Sequence, residues 1–157
     1  MASVVRDLIE YVGVADCIPQ NPSSFKQFNI QECFEIPTQK PDIEQIVRVS
    51  VDVDIKSTKV IKTAKGKSME GQNLTGWKLI VEGELKQKIQ YVADEPTQSV
   101  HGAHFSVWFS EFIILPKDFC EDKILNVVPY IEDIYAAQLD KRKITKNITI
   151  LLDATQY

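Results

Sequence analysis

Residues 47–55 read VRVSVDVDI, with Val47, Val49, Val51, Val53 and Ile55 aliphatic and Arg48, Ser50, Asp52 and Asp54 polar between them. A period of two cannot be placed on one face of a helix, whose side chains repeat every 3.6 residues, so this stretch is a strand with one face buried and one wet. At about 3.3 Å per residue, the ten residues from Ile46 to Ile55 span roughly 30 Å. The parity of the apolar residues changes before Val60 and Ile61, which predicts a bend or bulge at residues 56–58. A second long run, WKLIVEGELKQKIQY, directs Trp77, Leu79, Val81, Leu85, Ile89 and Tyr91 one way and Lys78, Glu82, Glu84, Lys86, Lys88 and Gln90 the other. The segment between them, residues 64–76, has three glycines and no periodicity and reads as a loop, so strands over 46–63 and 76–92 are expected to pair antiparallel across it.

Shorter runs repeat the pattern. Phe28, Ile30, Phe34 and Ile36 share one parity and stop at Pro37; Asp42 and Gln45 resemble a small capping box, so one helical turn is expected there. HFSVWFSEFIILP is the most aromatic run, and its apolar parity slips near Ser110 and Glu111, which predicts a bulge or a strand buried on both faces. Residues 126–139 satisfy helical as well as strand spacing; the strand is preferred. In the last run Ile144, Ile148, Ile150 and Leu152 share a face. At the start of the chain Val5, Leu8, Ile9 and Val12 fit a helix, whereas Leu8, Val12 and Val14 fit a strand. Six or seven strands between glycine and proline turns imply an all-β fold, an antiparallel β-sandwich of jelly-roll or Ig-like type. Residues 1–20 form an N-terminal arm or first strand, and residues 21–157 form a single sandwich domain.

The 157 residues carry a net charge of -4 with neither sign gathered in a block, which argues against nucleic acid as a partner. No window is apolar enough to span a membrane, and Arg6, Asp7 and Glu10 interrupt any leader, so synthesis in the cytoplasm without a signal peptide is expected. Cys17, Cys33 and Cys120 are odd in number and far apart, without a C-x-x-C pair. They offer no zinc site, and one thiol is left for a neighbouring chain.

Catalytic motifs are sparse. His101 and His104 are three apart and face opposite sides of a strand, so they do not make a metal pair without further ligands. Asp52 and Asp54 share a face beside Arg48 and Lys56 and read as a solvated surface, because paired carboxylates work as acid and base only where burial splits their pKa values. Glu132 and Asp133 are adjacent, hence opposed. Nucleophile-elbow and phosphate-loop patterns are absent, and no enzyme, cofactor or metal is expected.

QKPDIEQI (residues 39–46), TGWKLIVEGELKQKIQYVAD (75–94), TQSVHGAHF (97–105), FIILP (112–116) and YIEDIY (130–135) together resemble the SPOCS domain family, named for spore coat-associated proteins of endospore-forming bacteria. The resemblance implies a β-rich domain without catalysis, used in the proteinaceous layers around the spore and sometimes joined to a peptidoglycan-binding module. The chain ends at Tyr157 without such a module, which favours a single-domain building block. The function expected is self-assembly on the spore surface, in coat, exosporium or appendage, with copies of itself or other coat proteins as partners. The alternative is a monomeric module that docks on a morphogenetic or coat protein.

Strand edges are the physical means of such assembly, and the N-terminal segment is the candidate arm, with Val5, Leu8, Ile9, Val12 and Val14 as its apolar contacts. Ordering about ten residues costs roughly 10 to 20 kcal/mol. About 1 kcal/mol for each of some five hydrogen bonds and roughly 1.5 to 3 kcal/mol for each apolar side chain nearly cancel that cost. Arm exchange alone is therefore reversible, and Cys17 paired with Cys33 or Cys120 of a neighbour is the candidate lock, at about 2 to 4 kcal/mol. Trp108 has the opposite parity from Phe105 and Phe109, which makes it a candidate outward anchor, although large aromatics more often fill a sandwich core.

Overall fold

The computed structural model describes residues 2–67, 69 and 72–156; Ser68, Glu70 and Gly71 of the expected loop lie outside the described residues, as do both terminal residues. Among the described residues the chain forms strands and no helix: β1 (Ala2–Arg6), β2 (Ile9–Val14), β3 (Phe25–Glu35), β4 (Ile43–Lys67), β5 (Asn73–Ala93), β6 (Val100–Ile114), β7 (Leu125–Gln138) and β8 (Lys143–Gln156). A five-stranded sheet of order β1-β2-β4-β5-β6 faces a three-stranded sheet of order β3-β8-β7. The all-β sandwich read from the alternation is the fold found.

Both layers contribute one face to a shared core. Val49, Leu79, Val81, Leu85, Ile89 and Tyr91 from the larger sheet meet Ile134, Ile144, Ile148, Ile150 and Leu152 from the smaller, all almost fully buried. Each such aliphatic side chain is worth roughly 1.5 to 3 kcal/mol in area removed from water, which fixes register, since a one-residue slip would turn the whole set outward. The predicted kink in β4 is present as a register shift between Ile55 and Ser57.

Several expectations are corrected. β4 and β5 extend through much of the expected loop, to Lys67 and from Asn73. This ribbon projects past the core, and with no apolar layer to face it has no reason to alternate. Where a helical turn was expected at Asp42 to Gln45, β4 already begins at Ile43, and the chain turns earlier, at residues 38–40, closed by Lys40 N–H donating to Pro37 O at 2.9 Å. Arg142 sets that turn from the β8 side, donating to Lys40 O, Pro37 O, Ile36 O and the Asp42 carboxylate at 2.8–3.1 Å. No bulge interrupts β6, which stays in register with β5 from Val100 to Ile114. Its odd residues face inward throughout; Phe112 is half-buried on the other parity, under the ammonium groups of Lys26 and Lys78 at 4.3 and 4.6 Å from the ring centre. Residues 126–139 are strand almost throughout, and a register shift between Ile131 and Asp133 places Ile131 and Ile134, three apart, on the same buried face. That inserted residue is why the segment imitates helical spacing.

Residues 2–14 form a hairpin inside the larger sheet. β1 pairs antiparallel with β2 across a tight turn at Asp7 and Leu8, both with positive φ, and β2 then runs parallel to β4 through Glu10, Tyr11 and Val12. The buried set here is Ile9, Tyr11 and Gly13. The strand reading had directed Leu8, Val12 and Val14 inward; the turn instead starts a new strand at Ile9 with the opposite parity.

Candidate functional site

A two-layer sandwich has four borders, here β1 and β6 of one sheet and β3 and β7 of the other. An edge strand offers unpaired N–H and C=O groups to any passing chain, and folded proteins ordinarily block it with charge, proline, bulges or a cover. The borders of this chain are treated differently from one another.

β7 is covered by side chains of the N-terminal hairpin. The Tyr11 hydroxyl donates to Ala136 O and accepts from Ala136 N–H, both at 3.2 Å. Arg6 donates to Ile134 O and, at 3.0 Å, to the Asp133 carboxylate, while Ala15 N–H donates to Ile131 O at 2.9 Å. These partners occupy the positions a further strand would take. Tyr11→Phe is expected to leave both Ala136 groups unpaired in a buried setting and to cost about 2 kcal/mol, or roughly 4 to 8 °C in melting temperature for a chain of this size. Thermal unfolding followed by circular dichroism checks this, and an unchanged midpoint would show that the hydroxyl does not seal the border.

β3 and β6 lie on the opposite flank, joined across the layers by Phe28 with Phe109 at 5.2 Å and Phe34 with Phe105 at 4.2 Å between ring centres. β3 carries Lys26, Glu32 and Glu35. β6 is fifteen residues long, contains no proline and no bulge, and has Glu111 as its one acidic or basic side chain apart from the two histidines. Its outward face presents His104, Ser106, Trp108 and Ser110, and Trp108 is 65% exposed, so the anchor points to solvent and does not fill the core. Of the three long borders, β6 has the least protection against pairing, and β1 at the fourth is only five residues long.

The remaining residues singled out from sequence are distributed over the surface. Val5 and Leu8 are exposed, Val12 and Val14 are partly buried, and Ile9 belongs to the chain's own core. Cys17 and Cys33 are exposed thiols and Cys120 is half-buried; all three are free. His101 stacks on Tyr91 at 5.9 Å, and among the described residues no group of three or more His, Cys, Asp or Glu side chains is placed to hold a metal ion. Asp54 is held below the usual carboxylate range by hydrogen bonds from Lys56 and Lys86, and Glu84 likewise by Ser106 and Lys56. This network is the hydrated, mixed-charge wall that the alternation of β4 predicts. Among the described residues no helix is long and apolar enough to cross a membrane.

The family model of the SipL SPOCS domain matches residues 42–139, well over half of the chain. The chain belongs to this family. That membership associates this SPOCS-domain chain with the bacterial spore, and the matched span contains β4 to β7, hence the open β6 border. No curated protein and no solved structure matches the chain.

Sequence reasoning passed over three polar side chains on inward parities: Glu32 between Ile30 and Phe34, Gln87 between Leu85 and Ile89, and Lys146 between Ile144 and Ile148. Gln87 is 4% and Lys146 1% exposed. The signal was present as one polar interruption in each of three apolar stripes.

Proposed function

We propose that this SPOCS domain is a non-catalytic structural protein of the spore surface that associates with copies of itself by adding strand to strand at β6. The observation that supports this reading is an unbroken, almost uncharged fifteen-residue border with Trp108 on its outer face. A two-fold axis across β6 brings the strand antiparallel to itself, and with Glu111 the only fixed charge almost every register avoids like charges facing each other. Residues 2–14 are already docked on their own sheet, β1 on β2 and β2 on β4, so the β6 border and not arm exchange carries the proposal. The chain is synthesised in the mother-cell cytoplasm and deposited on the spore. In this reading the exposed thiols of Cys17 and Cys33, or the half-buried one of Cys120, lock neighbours once contact is made, a step that non-reducing electrophoresis of assembled material reads.

Light scattering of the purified protein tests the reading. Species well above the 17.9 kDa monomer are expected, and Trp108→Lys, which adds a charge to the border without touching the core, is expected to return them to monomer. A wild-type chain that stays monomeric at high concentration would replace this reading with the alternative, a module that docks on a morphogenetic or coat protein through the same border.

A further inference from the structure

Lys146 lies in the core with its ammonium group donating to Gln87 Oε1 of the facing sheet. The Phe34 and Phe105 rings enclose it, with ring centres 3.8 and 5.1 Å from Nζ. Two buried polar atoms of the same cluster, Gln87 Nε2 and Glu32 Oε2, have no hydrogen-bond partner among the described residues. Taken as a structural arrangement, this is a poor one: an ammonium desolvated between apolar layers, an amide N–H₂ left without an acceptor and a carboxylate oxygen without a donor each cost free energy that Leu or Val at these positions would not. The arrangement is, however, what a condensation between amine and carboxamide requires.

We propose that Lys146 and Gln87 condense to an ε-(γ-glutamyl)lysine isopeptide bond that ties the two sheets together. Nζ, as the neutral amine, attacks Gln87 Cδ; the Cδ–Nε2 bond breaks, the Nζ–Cδ bond forms, and Nε2 leaves as ammonia with the proton that Nζ gives up. One amine and one primary carboxamide become one secondary amide and one ammonia, and no oxidant or external reactant is needed. Burial pushes the Lys146 ammonium down to about 7, against the opposing pull of the Glu32 charge, so the nucleophilic form is available near neutrality. Glu32, the cross-strand neighbour of Lys146 on β3 whose buried Oε2 has no hydrogen-bond partner among the described residues, is assigned the proton relay between amine and leaving nitrogen. The pair is held in contact by the packed sheets, so the approach is already made by folding, and the aromatic walls exclude the water that would hydrolyse the intermediate. Condensation also removes the buried charge and the orphaned Nε2 together. Glu32 and Lys146 both lie outside the matched span of the SPOCS model, so the inference does not follow from family membership.

Intact mass spectrometry of the purified full chain decides the matter. A mass about 17 Da below that of the sequence is expected, the ammonia lost, with a branched peptide joining Lys146 to Gln87 after digestion. The unaltered sequence mass, or a loss that maps elsewhere, overturns the proposal. Gln87→Glu is expected to lose water, about 18 Da, and arrive at the same product. Glu32→Gln is expected to keep its full mass while retaining the β-sheet circular dichroism of the wild type; loss of ammonia in that variant overturns the relay. Because the wild-type mass alone is decisive, the test survives any variant that fails to fold.

Discussion

Gly13→Ala is expected to destabilise the chain by about 4 kcal/mol and to lower its melting temperature by roughly 10 °C. Gly13 has φ of +117°, a conformation L side chains rarely adopt, and a Cβ built there would stand 2.1 Å from Val51 O and 3.2 Å from Val51 C. The obstacle is backbone of β4, at the centre of the sheet, so it cannot swing aside as a side chain does. Register explains why the approach is so close. β1 and β2 shift between Ala2 and Ser3, whose partners are Val14 and Val12, which leaves Gly13 as the extra residue of a bulge just past the parallel pairing of β2 with β4. Relief requires β2 to lift from β4, and that withdraws Tyr11 from Ala136 and Ile9 from the core. Gly66→Ala is the control. Its nearest obstacle is the Leu74 side chain at 4.0 Å, and a change within about 0.5 kcal/mol is expected. Equal melting curves for the two variants would mean that β2 does not sit against β4 as described.

The contrast between these glycines shows what the sequence could and could not disclose. Both interrupt polar or alternating runs, and nothing local separates them, since the obstacle at Gly13 is contributed by a residue nearly forty positions away. Core faces were legible where a single apolar layer imposes its period on a strand, as in residues 77–91 and in the late isoleucines. Legibility failed where a bulge changes the count, as at Ile131 and Ile134, and where the ribbon of β4 and β5 leaves the core and alternation loses its cause. Which strands become borders depends on the order β1-β2-β4-β5-β6, and a parallel pair between β2 and β4 is a non-local outcome that no short window contains. Parity pointed Trp108 outward against the commoner placement of a large aromatic in the core, and its meaning as part of a border waited for that order. Lys146, Gln87 and Glu32 are the opposite case. Each was visible as a polar residue in an apolar stripe, and only the stacking of the two sheets shows that the three interruptions meet.

That meeting gives the protein a pH response that depends on whether the amine is still free. An unlinked Lys146 titrates near 7 in the folded chain and near 10.5 when unfolded. Between these values the unfolded chain holds the proton and the native one does not, so stability must rise with pH by about 1 kcal/mol per unit, or about 3 kcal/mol from neutrality to about pH 10. The penalty of the buried charge is full below 7 and disappears as pH approaches the unfolded value. The ionisable neighbour in the cluster is Glu32 of β3; Gln87, Phe34 and Phe105 are neutral throughout. Tyr91, whose hydroxyl is pushed up by burial, acts in the other direction only near and above its ordinary value of 10.0, which sets the upper end of the useful range. Urea unfolding of Glu32→Gln, in which the amine stays free and has lost the carboxylate that raised its pKa, is therefore expected to shift to higher midpoints as pH rises from 7. Lys146→Met has nothing to titrate there and is expected to give a flat profile. A linked wild type should match Lys146→Met. A wild type that instead follows Glu32→Gln still carries the amine, and a flat Glu32→Gln profile would mean that Lys146 is not buried as a charge at all.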